Sequence, residues 1–412
     1  MLKTSMKLLP ALVLGGLYGT AGASGFQLLE QNASGLGNAY AGSAAVAEDA
    51  STIYFNPAGM TKLQDREVSV GLNAIRPSYK FTNQGSTLLG APATGNNGGD
   101  AGDWGYVPNG YMSWALSRDL YVGVGVGAPF GLKTEYDRNW VGRMQSTKFD
   151  IKTLNINPSV AYRVNDKVSV GFGLNWQKFD AEYVRQAHPV FGGTATLNAK
   201  DSAWGWNAGA LFQLSPATRL GVSYRSDIKY KLEGDVALSA NLGGARTNVI
   251  ADLKTPDTFI LSLAHNLNDR WELLGDLSWT GWSKIPKLDI LTTNGGLVQR
   301  LDTEFRDTWR AALGATYKYS DAWKLKMGVA YDQAPVKNAE HRLTSLPDNN
   351  RIWLSIGAQF APSKTSRLDV GYAHLFVKDS QINNNQNPVQ GVVKGSYEAD
   401  ANILGVQYSM SF

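Results

Sequence analysis

From residue 66 onward the side chains alternate apolar and polar with a period of two. Over 167–177, Val168, Val170, Phe172, Leu174 and Trp176 share one face, and Ser169, Gly171, Gly173, Asn175 and Gln177 the other. Trp309, Ala311, Leu313, Ala315, Tyr317 and Tyr319 alternate in the same way with Arg310, Ala312, Gly314, Thr316 and Lys318. Over 220–230 the apolar face reads as Leu220, Val222, Tyr224, Ile228 and Tyr230, opposite Gly221, Ser223, Arg225, Asp227 and Lys229. A period of two means strands with one apolar face.

The connections add a second rhythm. Short turn signals lie at Arg118-Asp119, Asn165-Asp166, Pro216-Ala217, Asn268-Asp269, Ser320-Asp321 and Ser363-Lys364. Between them lie long polar or glycine-rich stretches near 82–106, 131–146, 188–200, 239–249, 292–303, 334–349 and 378–394. A soluble sandwich has no reason to keep this alternation. An outer-membrane barrel does, with short turns towards the periplasm and long loops outside. Six turns and seven loops separate 14 strands, and the even number puts both barrel ends on one side. The expected fold is all-β: a 14-stranded antiparallel transmembrane barrel over 66–412.

Composition agrees. The 412 residues include 44 Gly, 18 Tyr, 12 Trp and 14 Phe, and 18% are charged. The mean hydropathy of −0.23 is too low for a helical membrane bundle. It suits strands that alternate outward apolar and inward polar residues, with aromatic girdles at both interfaces. The last strand sets Leu404, Val406, Tyr408, Met410 and Phe412 against Gly405, Gln407, Ser409 and Ser411. A terminal strand ending in Phe412 resembles the signal read by the barrel-assembly machinery.

Residues 1–23 read as a secretory signal: Lys3 and Lys7, an apolar run from Leu8 to Gly19, then Ala21-Gly22-Ala23. The run is too short to span a bilayer as a helix. Removing both lysines takes the formal charge from +4 to +2, too balanced to imply nucleic acid as a partner. The chain has no cysteine, so no disulfide, thiol nucleophile or cysteine metal site is expected. His188, His265, His341 and His374 show no metal spacing, and no G-x-S-x-G is present. No cofactor, metal or catalytic activity is expected.

Residues 24–65 break the strand pattern and are rich in small residues, with a short helix expected near 44–50. Phe26, Leu28, Leu29, Ile53, Tyr54 and Phe55 argue against a disordered tail. A plug, or hatch, inside the barrel is the economical place for them.

In this segment a family resemblance emerges. Ser24-Gly25-Phe26-Gln27-Leu28, the run from Ser34 to Gly42 and Asn56-Pro57-Ala58 resemble the long-chain fatty-acid transporters of the outer membrane. Gly205-Trp206-Asn207-Ala208-Gly209, Tyr224-Arg225-Ser226, Trp279-Thr280-Gly281-Trp282-Ser283 and Arg351-Ile352-Trp353-Leu354-Ser355 match in order. The resemblance implies a monomer that passes long-chain fatty acids without an energy source. Close relatives take aromatic hydrocarbons, so these are the alternative cargo. The surroundings would be outer-membrane lipid and lipopolysaccharide.

The resemblance also implies roles for residues. Ser24 and Phe26 belong to the hatch side of the ligand pocket. Asn56, Pro57 and Ala58 read as a turn before the first strand, and by resemblance as the hatch anchor. Gly127, Pro129, Phe130 and Gly131 interrupt the third strand, because Pro129 donates no ladder hydrogen bond. The break reads as a strand end or, by resemblance, as a kink that opens the wall sideways. Arg185 and Arg300, with Arg306 as the alternative to Arg300, align with cations that hold the ligand carboxylate.

Overall fold

The computed structural model describes residues 24–387 and 389–412; the leader expected over 1–23 lies outside the described residues. Fourteen antiparallel strands form one closed barrel. In chain order these begin with β1 (Arg66–Asn83), β2 (Gly105–Ala115), β3 (Leu120–Gly127 and Gly131–Glu135), β4 (Lys148–Asn165), β5 (Val168–His188) and β6 (Gly192–Ser215). Next come β7 (Thr218–Arg225 and Ile228–Leu238), β8 (Arg246–Thr255 and Thr258–Asn266), β9 (Trp271–Thr280 and Lys287–Thr292) and β10 (Leu297–Asp302 and Thr308–Lys318). The last are β11 (Trp323–Asp332), β12 (Arg351–Ser363), β13 (Ser366–Val377) and β14 (Gly391–Ser411). Closure comes from β1 pairing β14 over 17 positions, from Glu67↔Ser411 to Asn83↔Gly395.

The expected alternation of tight turns and longer connections holds, but several of the longer stretches carry strand, among them Leu297–Asp302 within 292–303 and Ser380–Asn387 within 378–394. The stretch 188–200 is not a loop, since β5 and β6 extend into it and turn over 189–191. Outward-facing Leu261, Leu277, Leu313, Leu354, Val370 and Leu404 are exposed and form an apolar band. Exposed aromatics flank it: Trp114, Tyr162, Trp323 and Tyr408 at the short-turn end, Trp206, Trp309, Tyr331 and Phe376 at the loop end. Surface leucines in a closed belt are stable against hydrocarbon, not water.

Five strands are interrupted towards the loop end, and in all of them but β9 the phase of the alternation changes there. Below the break in β7, Val222 and Tyr224 face outward; above it, Ile228 and Tyr230 are buried. The expectation of one apolar face across 220–230 is thus corrected. Ser226 and Asp227 break the strand, and the side chains beyond swap faces. The same inversion occurs in β8 at Pro256-Asp257 and in β3 at Ala128–Phe130. Prolines sit at two of these breaks because they cannot donate to a ladder. Each inversion turns the apolar face of the upper strand into the lumen.

Residues 24–63 fill the lumen and are almost entirely buried. The helix expected near 44–50 forms instead at Thr52–Phe55. Positive φ at Gly42 and Ala47 breaks the backbone of the alanine run. Barrel cations bind the segment's carbonyls: Arg310 donates to Ala39 O at 2.6 Å, Arg219 to Val46 O at 2.9 Å and Arg225 to Tyr54 O at 2.9 Å. Lys326 joins Glu48 of the segment to Asp369 of β13 in a buried triad. Two glycines let the segment approach the wall. A Cβ at Gly209 would lie 2.1 Å from Asn56 Oδ1, and one at Gly328 would lie 2.2 Å from Asn38 C.

Candidate ligand cavity and its plug

Above the luminal segment lies an apolar cavity with about 850 Å³ of space free of protein atoms, part of it open to solvent. Its wall combines the upper ends of the continuous strands, through Phe149 and Ile151 of β4, Phe179 of β5 and Leu197 of β6, with the inverted upper parts of β7 and β8, through Leu232 and Leu253. Leu343 and Leu346 of the β11–β12 loop complete it. The floor is a ring cluster. Phe26 meets Trp282 edge-on at 4.9 Å and Phe130 at 5.6 Å, and Trp282 meets Phe305 at 5.9 Å. Gly25 must be glycine here, because its φ is +63° and a Cβ would lie 2.7 Å from Trp282.

Tyr183 lines the cavity, and Arg185 lies two residues farther along the same strand. Arg185 Nε donates to Gln299 Oε1 at 3.2 Å, and Gln299 Nε2 donates to Tyr183 OH at 3.1 Å. No carboxylate lies within 4.0 Å of Arg185 among the described residues; its second bond is to Gln186 O at 3.1 Å. Arg185 is not part of the cavity lining; it stands next to Tyr183 with donor capacity to spare.

Arg300 is not brought to this place. It is exposed and forms a two-pronged ion pair with Asp289, at 2.5 and 3.0 Å. Strand alternation is the reason: Gln299 and Leu301 face the lumen, so Arg300 faces out. Arg306 is also exposed and donates to Ala334 O at 3.2 Å. Beside the cavity, hydrogen bonds join Arg185 to Gln299 and Gln299 to Tyr183, two residues the sequence did not single out. Trp282 was visible only as part of a matching motif.

Ser24 donates to Gln333 O at 2.5 Å, which ties the start of the described chain to the wall. Asn56 is fully buried. It donates to Ala44 O at 2.7 Å and to Ala210 O of β6 at 3.0 Å, and accepts from Ala58 N at 3.1 Å. Pro57 and Ala58 open the turn of 3₁₀ helix at Pro57–Lys62. At β3, Leu28 N donates to Pro129 O at 2.7 Å and Gly131 N to Phe26 O at 2.9 Å. The luminal segment thus adds a short strand to the kink. Pairing of β2 with β3 stops at Gly110↔Val126, while β3 above the kink pairs only with β4.

His341 approaches Asp302 and Glu304 within 4.8 Å on exposed loops, a grouping that the sequence spacing did not suggest. Exposed acidic groups of this kind are common, and His341 also bonds Asn338.

Glu30 of the luminal segment is fully buried, and neither carboxyl oxygen has a hydrogen-bond partner. Burial pushes its pKa from 4.5 to about 7, against the opposing pull of Arg351 and Arg310. A raised carboxyl pKa stabilises the seated segment fully below pH 4.5, and that contribution is lost as pH rises through about 7. The shift corresponds to about 3 kcal/mol. Amide exchange of residues 24–63 is expected to speed up between pH 5 and pH 8 beyond the intrinsic change. Glu30→Gln should abolish the excess; equal pH dependence in both proteins would refute it.

Residues 17–412 match the family described as outer membrane protein transport protein (OMPP1/FadL/TodX). The chain belongs to this family. It is 30% identical to the long-chain fatty acid transport protein of Escherichia coli O6:H1 over 95% of each chain. It is 32% identical to the 47 kDa outer membrane protein of Pasteurella multocida over 100% of each. A Pseudomonas aeruginosa FadL homologue shares the fold, with a TM-score of 0.88 at 24% identity over 94% of this chain and 100% of that one. The family comprises transport channels for hydrophobic compounds, not enzymes, and its place is the bacterial outer membrane. The short-turn end is therefore periplasmic and the loop end external.

Proposed function

We propose that this chain carries long-chain fatty acids passively across the outer membrane. The observation that carries the reading is the apolar cavity lined by Tyr183, with Arg185 two residues farther along the same strand and hydrogen-bonded to Gln299. An alkyl tail gains about 0.8 kcal/mol per buried methylene. A carboxylate leaving water needs a cation and hydrogen-bond donors. Arg185, with Gln299 and Tyr183 beside it, supplies both. Residues 24–63 act as the hatch. Release runs sideways through the interrupted wall at Ala128–Phe130, once Phe26–Leu28 lets go of Pro129 and Gly131. The E. coli relative named for long-chain fatty acid transport supports the cargo class.

The aromatic ring cluster of Phe26, Phe130, Trp282 and Phe305 favours a second cargo, a neutral aromatic hydrocarbon. Bacteria lacking their own transporter and expressing this chain would be given labelled oleate or toluene. Oleate uptake above the empty strain supports the first reading; toluene uptake alone assigns the second. Ala128→Trp places bulk in the wall at the kink. It is expected to leave oleate binding intact and to lower uptake about tenfold, a barrier change of about 1.4 kcal/mol. Undiminished uptake would rule out release at this point.

A further inference from the structure

The wall has another interruption, between β8 and β9. Their ladder runs from Asn266↔Glu272 to Thr258↔Thr280 and then stops. It resumes only at Ile250↔Leu291 and Val249↔Thr292. Between these points the other edge of β8 stays paired with β7 from Ile228↔Thr255 onward. Gly281 N still donates to Asp257 O at 3.0 Å, and beyond it the edges at 251–256 and 282–290 face each other without rungs. Pro256 and Pro286 lie in these two stretches and have no N–H to offer.

Outside this stretch the barrel carries a broad dent, with about 1260 Å³ of space free of protein atoms, open to solvent. Leu253 and Ile285 line both the dent and the apolar cavity within. Two aliphatic side chains, not a hydrogen-bonded sheet, separate the two spaces there. Five lysines, Lys229, Lys231, Lys254, Lys284 and Lys287, line the dent with Asp201 and Asp252. Lys254, Lys284 and Lys287 pair with Asp227, Asp257 and Asp289. The ammonium groups of Lys229 and Lys231 have no carboxylate partner among the described residues. Just below, Trp206, Tyr224 and Trp279 face outward at the loop-end girdle, which sets the dent at headgroup level.

We infer that the β8–β9 gap is a lateral entrance to the cavity for single-chain anionic amphiphiles, whose head docks on Lys229 and Lys231 while the tail passes between Leu253 and Ile285. The inference rests on the transport reading above and names a way in, distinct from the way out at β3. Inversion of the upper β7–β8 hairpin makes it possible, because the same bend turns aliphatic side chains inward and lysines outward. A neutral hydrocarbon gains nothing from the lysines and is not selected there.

The chain has no cysteine, so single cysteines report cleanly. Ile285→Cys and Leu343→Cys, the latter in the cavity wall away from the gap, would be placed in lipid nanodiscs with a bulky, membrane-impermeant maleimide. Ile285→Cys is expected to react at least about tenfold faster, and laurate to slow it. That protection should weaken about tenfold in laurate concentration when Lys229→Glu and Lys231→Glu are added, the loss of a charge-assisted contact. Equal reactivity at the two cysteines, absence of laurate protection, or protection indifferent to the lysines would each overturn the inference. These readouts require binding, not transport. Failed oleate uptake by the unaltered chain would count against the functional reading alone.

Discussion

Replacing Arg185 by alanine is expected to raise the half-saturating oleate concentration by about 10- to 100-fold and to leave toluene uptake unchanged. The magnitude follows from losing a charge-assisted hydrogen bond in a partly desolvated place, about 1.5–3 kcal/mol. Gln299 and Tyr183 would remain, but neutral donors hold a carboxylate about half as strongly. Arg300→Ala supplies the contrast. Arg300 is exposed and already bound to Asp289, so its removal should leave oleate uptake within the scatter of the unaltered chain. Equal losses in both variants would mean that general surface charge, not a site, governs capture. No loss in Arg185→Ala would remove the cation from the binding scheme altogether.

Asn56→Ala is expected to loosen the luminal segment while the barrel stays folded. The side chain satisfies Ala44 O, Ala210 O and Ala58 N, all in a water-poor place. Alanine leaves these three groups without partners, and each buried unsatisfied group costs about 1–3 kcal/mol. A net loss of about 3 kcal/mol or more corresponds to at least a hundredfold rise in the open population. Amide exchange over residues 24–63 should accelerate by that factor, whereas exchange in the β1–β14 seam should not. The expressing bacteria should also become sensitive to large polar antibiotics. Gly209→Ala tests the same contact from the wall, because its Cβ would sit 2.1 Å from Asn56 Oδ1. Unchanged exchange in both variants would mean that the buried cations, not Asn56, hold the segment.

The strands, their number and the side facing each end were legible in the sequence, because alternation and turn chemistry are local properties. Leu404, Val406, Tyr408 and Met410 face outward as their spacing requires. That 24–65 forms no wall strand was legible as well, since it carries apolar residues without strand periodicity. The phase of the alternation was not. At Ser226-Asp227, Ala128–Phe130 and Pro256-Asp257 an unpaired stretch resets which side faces the lumen, and one residue of slip exchanges every side chain beyond it. That is why Tyr230 turned inward against expectation, and why Arg300 points away from the cavity whereas Gln299 points in. Charge alone could not separate Arg185 from Arg300, since both lie on alternating strands. Residues 183, 185 and 299 meet only because β5 and β10 curve around one lumen, and Phe26, Phe130, Trp282 and Phe305 because four distant segments close its floor. By itself the sequence determined a barrel, its strand count and a first segment that forms no wall strand, all set by side-chain periodicity. Only the tertiary structure decided which polar groups stand beside the cavity and where the wall is open, because those depend on register between strands far apart in the chain.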